Sequence, residues 1–424
     1  MSRPFPIAIK FHSGPSASSR ARTETGRSTD ATPPVLPAAG TGATVAPARV
    51  SDRAARSWLS NRFFNVHSAA RKPALEVTVL LTGGTFASEG TDTTYKLVTD
   101  RPLQQQQTVF AQLIGKLKGI EVVLKAPPYF IDSSSLQPMH ILENIRQNAV
   151  PACTDPLDVH QVFMVGTDTA PLAALAAKLA GIPGVFAGAM KPANSAHADG
   201  PLNARNAVLV AGSSHPWLRG QTLLVMNNEI FDPLTVRKAH TTAIDAFQPR
   251  NGERIGTIVN GRIKLERRPM QVPRLDLSTV DRLPSFVVHT CDTNTFSRQR
   301  ADIERKLQLD TASEHEDAQR SGPYQKILVV AARGNGKVPD ELEGDLRTIA
   351  WEQDTFVFRT TEVDQGVVED QPGDEANRFI NCGALRADKV ALFAQMFLAD
   401  ARARNRKVDF AMMREAVNAL QPVR

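Results

Sequence analysis

The chain has only three cysteines in 424 residues, and this scarcity excludes two kinds of architecture. Cys153, Cys291 and Cys382 are odd in number and far apart, so they do not form a disulfide framework. No C-x-x-C or H-E-x-x-H spacing occurs and the nine histidines form no cluster, so a zinc site is not supported either. We therefore expect reduced cysteines in a cytoplasmic setting, with no metal and no cofactor.

The sequence also lacks a long apolar run and, in its main part, a surplus of positive charge. Without an apolar run we expect neither a membrane span nor a Sec-type signal. The net charge of +6 is concentrated in residues 1–72, whose 11 Lys/Arg and 3 Asp/Glu give a net of +8. Residues 73–424 therefore carry a net charge of −2. Because this part shows no basic footprint, we expect no nucleic-acid partner.

Residues 1–72 differ in composition from the rest of the chain. They are rich in Ser, Ala, Thr, Pro and Arg, a composition that buries too little apolar surface to offset chain entropy. We expect a disordered extension with a short aromatic patch at Trp58–Phe64. Its composition is similar to that of organelle transit peptides and of the N-terminal signals of injected bacterial effectors. Delivery to an organelle or a host cell and a passive tail remain alternatives.

The apolar pattern after residue 73 predicts an α/β fold. A helix pattern between Leu172 and Leu179 lies between an apolar strand that begins at Val162 and another at Val185–Ala187. Strand, helix and strand in this order predict a right-handed parallel unit and hence a doubly wound parallel sheet. The apolar strand Val77–Leu81 suits burial on both faces of the same sheet.

Composition further divides the chain into segments. A polar stretch at 266–284, punctuated by prolines, is expected to link two domains. The sequence thus predicts a catalytic domain at 73–265 and a smaller α/β domain at 285–424, preceded by the extension at 1–72. Within the smaller domain, the charged segment 298–323 is expected to form a surface helix and loop.

Two predicted strands end in glycine and hydroxyl residues. The stretch V-T-V-L-L-T-G-G-T-F-A-S leads to Thr85, and V-F-M-V-G-T-D-T-A leads to Thr167 and Asp168. Open α/β sheets keep their active sites at the carboxyl ends of strands, so these side chains are candidates for one site. The alternative is an ordinary strand-to-helix turn, since such turns also favour glycine and threonine.

Four sequence blocks together resemble the bacterial-type L-asparaginase/glutaminase family. They are T-G-G-T-F-A at 82–87, G-T-D-T at 166–169, G-A-M-K-P…A-D-G-P within 188–201, and V-x-K-x-x-T-T around Lys238. The blocks occur in the family's order and spacing. The resemblance implies a cofactor-free amidohydrolase that hydrolyses L-asparagine to L-aspartate and ammonia through a threonyl acyl-enzyme. Alternatives are a glutaminase, an amidase for a larger substrate, and a non-catalytic binding or effector protein on this scaffold.

The residues themselves suggest how such chemistry would proceed. A threonine hydroxyl becomes a good nucleophile only when a neighbouring group takes its proton. No Ser-His-Asp set is visible, so Lys238 is the candidate base, with Asp168 to hold it and Thr167 to relay the proton. We expect Lys238 on a helix, where His240, two residues further on, would face elsewhere. A solvated surface lysine is the alternative.

The resemblance also implies a role for each matching residue, and a small amino-acid amide as substrate. Sites in this family are completed by the second domain of a neighbouring subunit, so a homodimer or homotetramer with shared sites is expected. The acidic residue that completes the site is Glu369, with Asp370 and Glu375 as alternatives. The implied roles are Thr85 as first nucleophile, Tyr95 on a mobile polar loop at 89–99 as its activator, Thr167, Asp168 and Lys238 as second triad, Ser133 and Ser134 as binders of the substrate α-carboxylate and α-amine, Ala189 as backbone contact to the amide, and Asn335 and Glu369 as groups from the neighbouring subunit.

Overall fold

The computed structural model of the chain describes residues 74–91, 95–97, 103–125, 137–148, 155–291, 296–312, 325–352 and 354–421. The extension at 1–72, the candidate binders Ser133 and Ser134, and Cys153 lie outside these residues. What the sequence predicts for them stays a prediction.

Strands and helices alternate along most of the described chain, and the α/β fold class is confirmed. The strands are β1 (Leu75–Leu81), β2 (Ser88–Gly90), β3 (Tyr95–Leu97), β4 (Ile120–Lys125), β5 (Gln161–Met164), β6 (Gly184–Ala187), β7 (Thr222–Met226), β8 (Glu229–Phe231), β9 (Val236–Lys238), β10 (Phe247–Pro249), β11 (Gly256–Val259), β12 (Arg262–Leu265), β13 (Val287–Thr290), β14 (Lys326–Ala332), β15 (Thr355–Thr361) and β16 (Phe379–Asn381). The helices are α1 (Leu103–Ile114), α2 (Pro138–Asn148), α3 (Ala170–Leu179), α4 (Gly200–Ala211), α5 (Phe296–Ala312), α6 (Asp340–Glu352), α7 (Ala387–Ala403) and α8 (Phe410–Asn418).

The larger sheet contains the predicted doubly wound arrangement. Its strand order is β12-β11-β8-β7-β6-β5-β1-β4, in which β4, β1, β5, β6 and β7 are parallel neighbours. The chain passes from β1 to β4 on one side and then to β5 on the other, so the strand order reverses between β1 and β5. Open α/β sheets bind their ligands at such a switch point.

Strand β1 lies at this switch point because its side chains suit burial on both faces. Val77, Val79 and Leu81 pack in one core with helices α1 and α4, whereas Leu80 packs in the opposite core with α2 and α3. Successive side chains of a strand point to opposite faces, so a run that is apolar at nearly every position requires cover on both sides.

The smaller sheet has the order β13-β14-β15-β16 and is parallel throughout. Helices α5 and α6 cover one of its faces, and α7 and α8 cover the other. The core under α7 is continuous with the core around α3 of the larger sheet, and the described residues form one compact unit. The charged segment predicted as a surface helix does begin as a helix, α5, which buries Ile303 and Leu307 against the smaller sheet.

The stretch at 266–284 is not a free connection between the sheets. Leu275, Leu277 and Val280 are buried in the shared core, and the amide of Leu275 donates to the carbonyl of Leu179 at 2.8 Å. Arg146 of α2 donates to the carbonyls of Leu277 and Val280. These contacts show that the segment packs against helices of the larger sheet. Its prolines remove backbone hydrogen-bond donors, but they do not prevent such packing. The predicted domain boundaries stay predictions.

Two local predictions differ from the structure. Lys238 ends strand β9 and does not lie on a helix, because β9 pairs with β10 in an antiparallel ribbon that places Lys238 opposite Phe247. The segment at 89–99, expected as a loop, forms in part the ribbon β2–β3, in which Gly90 is opposite Tyr95. Both ribbons depend on pairing between segments several residues apart, which local periodicity does not reveal.

Candidate active site

The turns after β1 and β5 are joined directly at the switch point. Leu81 of β1 lies opposite Met164 of β5. The next residue, Thr82, donates to the carbonyl of Met164 from both its backbone amide, at 2.9 Å, and its hydroxyl, at 3.0 Å. A threonine at this position therefore holds the two strand ends in register as they enter the loops that carry Thr85 and Thr167.

Gly84 brings these two turns into backbone contact. Its φ is +78°, and a β-carbon placed on it would lie 2.4 Å from the α-carbon of Gly166. Only glycine fits such an approach, so the T-G-G-T block has a structural reason for its second glycine. Thr85 then begins a short 3-10 helix in a buried position. The candidate nucleophile therefore follows the residue that touches the Gly166–Thr167 turn.

Lys238, Thr167 and Asp168 form one hydrogen-bonded set. The Nζ of Lys238 donates to Thr167 Oγ1 at 2.8 Å and to Asp168 Oδ1 at 2.7 Å. Thr167 is buried, the Lys238 side chain is 18% exposed, and the Asp168 side chain is 62% exposed. This geometry permits proton exchange between Lys238 and Thr167, while Asp168 orients the amine and keeps its carboxylate in contact with solvent.

His240 does not take part in this set. Its Nδ1 accepts hydrogen bonds from the backbone amides of Thr242 and Ala243, at 3.1 and 3.0 Å, within its own turn. Lys238 and not His240 therefore contacts Thr167, and the reason is a turn after a strand and not the spacing of a helix.

A third turn, after β6, packs against the second. A β-carbon on Gly188 would lie 2.7 Å from the carbonyl oxygen of Val165 and 3.3 Å from Cγ2 of Thr167. Ala189, the predicted backbone contact to the substrate amide, follows it and is fully buried. Gly200 is equally constrained, because a β-carbon there would lie 3.0 Å from the β-carbon of Ala189.

Sequence reasoning missed the residues that shape this third turn. The buried carboxylate of Asp199 accepts the backbone amides of Met190 and Lys191 and the side-chain amide of Asn203, at 2.9–3.0 Å. Asn203 also donates to the carbonyl of Gly188 at 3.1 Å. An Asp directly before the Gly-Pro start of a helix suggests an N-cap, but its side chain caps the preceding loop instead.

The ribbon β2–β3 is tied to the same loop. The amide of Gly90 donates to Asn194 Oδ1 at 3.0 Å, and the amide of Ala193 donates to the carbonyl of Ser88 at 3.2 Å. Tyr95 begins β3 opposite Gly90, on the segment that follows the Thr85 turn. The structure therefore places the candidate activator of Thr85 on an element anchored beside the Gly188–Pro201 block.

The second-sheet candidates also lie together. Asn335 is in the Gly-Asn-Gly turn after β14, and its Oδ1 accepts the backbone amide of Glu369 at 2.8 Å. The two alternative acids have other roles: Asp370 accepts from Asn381 at 2.9 Å, and Glu375 pairs with Arg414 at 2.9 Å. The backbone of Glu369 is thus the part of this segment that contacts Asn335, and its role as the accompanying acid stays a prediction.

Arg359, which sequence reasoning did not select, supports this turn. It is buried, donates to the carbonyl of Gly336 at 3.0 and 2.7 Å, and pairs with Asp374 at 2.6 Å. Asp374 also accepts from the amide of Gln371 at 2.6 Å, so one buried ion pair holds the segments that carry Asn335 and Glu369.

Two absences apply to the part of the chain that the structure describes. None of its helices is long and apolar enough to cross a membrane. In the same residues, no group of three His, Cys, Asp or Glu side chains is placed to hold a metal ion.

Known proteins resemble this chain in sequence and in fold. The family model described as "Asparaginase, N-terminal" matches residues 76–271. "L-asparaginase 2" of Escherichia coli K12 is 27% identical over 341 residues, which cover 76% of this chain and 88% of that protein. A "Glutaminase-asparaginase" of Pseudomonas aeruginosa is 26% identical over 77% of this chain and 87% of its own length.

A solved structure agrees in fold across both sheets. The crystal structure of a "Probable Cytoplasmic L-asparaginase" from Campylobacter jejuni superposes with a TM-score of 0.62 at 20% identity, covering 81% of this chain and 99% of that one. The matched family segment contains Thr85, Thr167, Asp168, Ala189 and Lys238. The chain therefore contains a segment, residues 76–271, that matches the N-terminal domain of the asparaginase family, and relatives named asparaginase match most of its length.

Proposed function

We propose that the protein is an amidohydrolase that converts L-asparagine to L-aspartate and ammonia. The observation that carries this proposal is the Lys238–Thr167–Asp168 set, hydrogen-bonded at the switch point of the sheet and adjoining the Thr85 turn. Acyl transfer requires a group that can accept and donate protons, and a buried hydroxyl in contact with an amine can do both. The names of the relatives support asparagine as the substrate.

In the proposed reaction, Thr85 is the nucleophile. Its Oγ1 bonds to the amide carbon of the substrate while Tyr95 takes the hydroxyl proton, and the carbon–nitrogen bond then breaks to release ammonia. The Lys238–Thr167 contact carries the proton that the leaving ammonia takes up. Backbone amides at the glycine turns stabilise the oxyanion, and each such donor typically contributes roughly 3–4 kcal/mol.

Water completes the cycle. Its oxygen bonds to the acyl carbon of the threonyl ester, and one of its protons passes to the Lys238–Thr167 contact, which replaces the proton given to ammonia. The ester carbon–oxygen bond then breaks, and Tyr95 returns to Thr85 the proton it had taken as aspartate leaves. Asp168 has two functions in this scheme: it orients Lys238, and its exposed carboxylate offers a counter-charge to the substrate ammonium. Ser133 and Ser134 are proposed to bind the substrate α-carboxylate and α-amine.

Glutamine is the second candidate substrate. The observation that favours it is that the Pseudomonas aeruginosa relative bears the name glutaminase-asparaginase. The chemistry at Thr85 and Thr167 is the same for both amides, so side-chain length is selected by contacts around the substrate and not by the catalytic set. A non-catalytic binding protein is disfavoured because all five candidate catalytic residues, including Tyr95, are retained.

Each subunit is further proposed to receive Asn335 and Glu369 from a neighbouring chain, in a homodimer or homotetramer. Support comes from the pair's own geometry, since Asn335 Oδ1 accepts the backbone amide of Glu369 and so keeps the two residues side by side. The cytoplasm is the proposed location, because Cys291 and Cys382 are buried and unpaired.

The experiment is ammonia release from the purified protein, supplied separately with L-asparagine and L-glutamine. Thr85→Ala and Thr167→Val should each lower kcat by roughly 100-fold or more, since removing one group of a catalytic set typically costs that much. Thr360→Val is the matched control, because it removes a fully buried threonine hydroxyl from strand β15 of the second sheet. Activity within a few-fold of wild type in either of the first two variants would reject the assignment.

A further inference from the structure

A buried lysine on the second sheet contacts the segments that form the Lys238–Thr167 set. Lys389 lies in the first turn of α7 and is only 1% exposed. Its Nζ donates to the carbonyl oxygen of Pro171 at 3.0 Å and to that of Pro233 at 2.6 Å. Burying a lysine is costly unless its amine is hydrogen-bonded, so the two carbonyl acceptors are what stabilises Lys389 in this position.

The two acceptors belong to the two segments that carry Thr167 and Lys238. Pro171 is in the first turn of α3, immediately after the loop that carries Thr167. Pro233 is in the turn between β8 and β9, and β9 ends at Lys238. A single amine on α7 therefore joins the end of the Thr167 loop to the turn that leads into the Lys238 strand.

A second buried lysine ties the same turn to the same helix. Lys178 of α3 pairs with Asp232 at 2.9 Å, and both side chains are buried. Asp232 also accepts the backbone amides of Leu234, at 3.0 Å, and of Met270, at 2.7 Å. The β8–β9 turn is thus fixed to α3 near the end of that helix by Lys178 and at its beginning by Lys389.

We propose that Lys389 is a positioning residue that sets the separation of Lys238 and Thr167 from the second sheet. The kinetic part of this inference depends on the proposed amidase function, whereas the geometric part does not. In catalysis a misplacement of about 1 Å can cost on the order of 100-fold in rate. Releasing the β8–β9 turn from the first turn of α3 would allow a shift of that size at the end of the three-residue strand β9.

The test compares Lys389→Met with Gln395→Met. Gln395 lies six residues further along the same helix, is buried, and donates to the carbonyl of Pro284, which plays no part in the site. Both variants remove a buried donor to a proline carbonyl and leave a methionine of similar volume. Thermal unfolding of each defines the temperature range in which it is folded, and kinetics are measured within that range.

For Lys389→Met we expect kcat to fall by about ten-fold or more while KM stays within about three-fold, because the loss affects proton transfer and not substrate binding. Gln395→Met should keep kcat within about two-fold of wild type. Equal kcat in the two variants would show that Lys389 supports only the fold. If Lys389→Met does not fold, Lys389→Gln is measured instead, because its shorter amide cannot span both carbonyls, and an unchanged kcat in that variant overturns the proposal.

A crystal structure of the folded variant provides the second readout. The distance from Lys238 Nζ to Thr167 Oγ1, 2.8 Å in the parent chain, should lengthen in the Lys389 variant and stay unchanged in Gln395→Met. An unchanged distance rejects the positioning role. A wild-type protein that hydrolyses neither amide would reject the proposed function instead, and the measured distance would still decide the role of Lys389.

Discussion

The charge on Lys389 should make the free energy of unfolding depend on pH in a way that one substitution isolates. Burial lowers the pKa of Lys389 from 10.5 to about 8; the nearby carboxylates of Asp388 and Asp232 partly oppose this effect, and Arg386 adds to it. Below about pH 8 the lysine is protonated in both the folded and the unfolded chain. Between about pH 8 and 10.5 the unfolded chain binds a proton that the folded chain has released, so stability rises with pH.

The size of this effect follows from the shift in pKa. One pH unit corresponds to about 1.4 kcal/mol for one proton, so the full window amounts to about 3 kcal/mol. The buried thiols act in the opposite direction, because burial raises the pKa of Cys291 to about 11 and also raises that of Cys382. A folded thiol keeps its proton when an unfolded thiol has lost it, so these groups lower stability as pH rises above about 9.

The assay therefore compares wild type with Lys389→Met and does not use wild type alone. Urea unfolding at several pH values between about 7 and 10 gives the free energy of unfolding of each chain. The thiol contributions cancel in the difference between the two chains. The free energy of unfolding of wild type minus that of Lys389→Met should not depend on pH below about pH 8. Above that pH it should rise by about 1.4 kcal/mol per pH unit. A difference that stays flat up to about pH 10 would refute the reasoning, and Gln395→Met should show no such slope.

Three further predictions concern the glycine turn, the shared site and the extension. Gly84→Ala should destabilise the protein in urea unfolding by several kcal/mol more than Gly119→Ala. The two glycines have nearly equal positive φ, but a β-carbon would meet backbone at 2.4 Å at Gly84 and nothing within 4 Å at Gly119. Equal losses of stability in the two variants would contradict this prediction. Mixing inactive Thr85→Ala and Asn335→Ala chains under conditions that exchange subunits should restore part of the amidase activity, and no recovery would reject the shared site. Removing residues 1–70 should leave amidase activity and Tm nearly unchanged, because their composition cannot stabilise a core; a large loss of either would show that the segment is part of the fold.

The sequence predicted the strand ends that carry Thr85, Thr167 and Asp168 because their signals are local. The apolar run of β1 and the glycines of the T-G-G-T and G-T-D-T blocks can be recognised within a few residues. Parallel strands bring their carboxyl ends to one edge, so the neighbourhood of Thr85 and Thr167 followed from the order of elements alone. The contact between Gly84 and Gly166, by contrast, joins two turns far apart in the chain and is visible only in the fold.

The features that sequence reasoning missed depend on partners far along the chain. Lys238 lies on a strand only because β9 pairs with β10, and the mixed local pattern around it gives no such signal. Asp199 resembles a helix cap until the fold turns its carboxylate toward the loop after β6. Lys389 resembles any helix lysine, because its acceptors are separated from it by 218 and 156 residues.

The second sheet of each subunit is thus proposed to serve two sites, and exchange of subunits can separate these roles. Lys389 acts within its own chain, because its acceptors are carbonyls of that chain, whereas Asn335 is proposed to act on the neighbour. A mixed dimer of Thr85→Ala and Asn335→Ala contains one site with every group intact. A mixed dimer of Thr85→Ala and Lys389→Met contains none, since each chain has lost a group that its own site requires. We therefore expect recovery in the first mixture and no recovery in the second. Equal recovery in both would show that Lys389 does not act on the Lys238–Thr167 contact of its own chain.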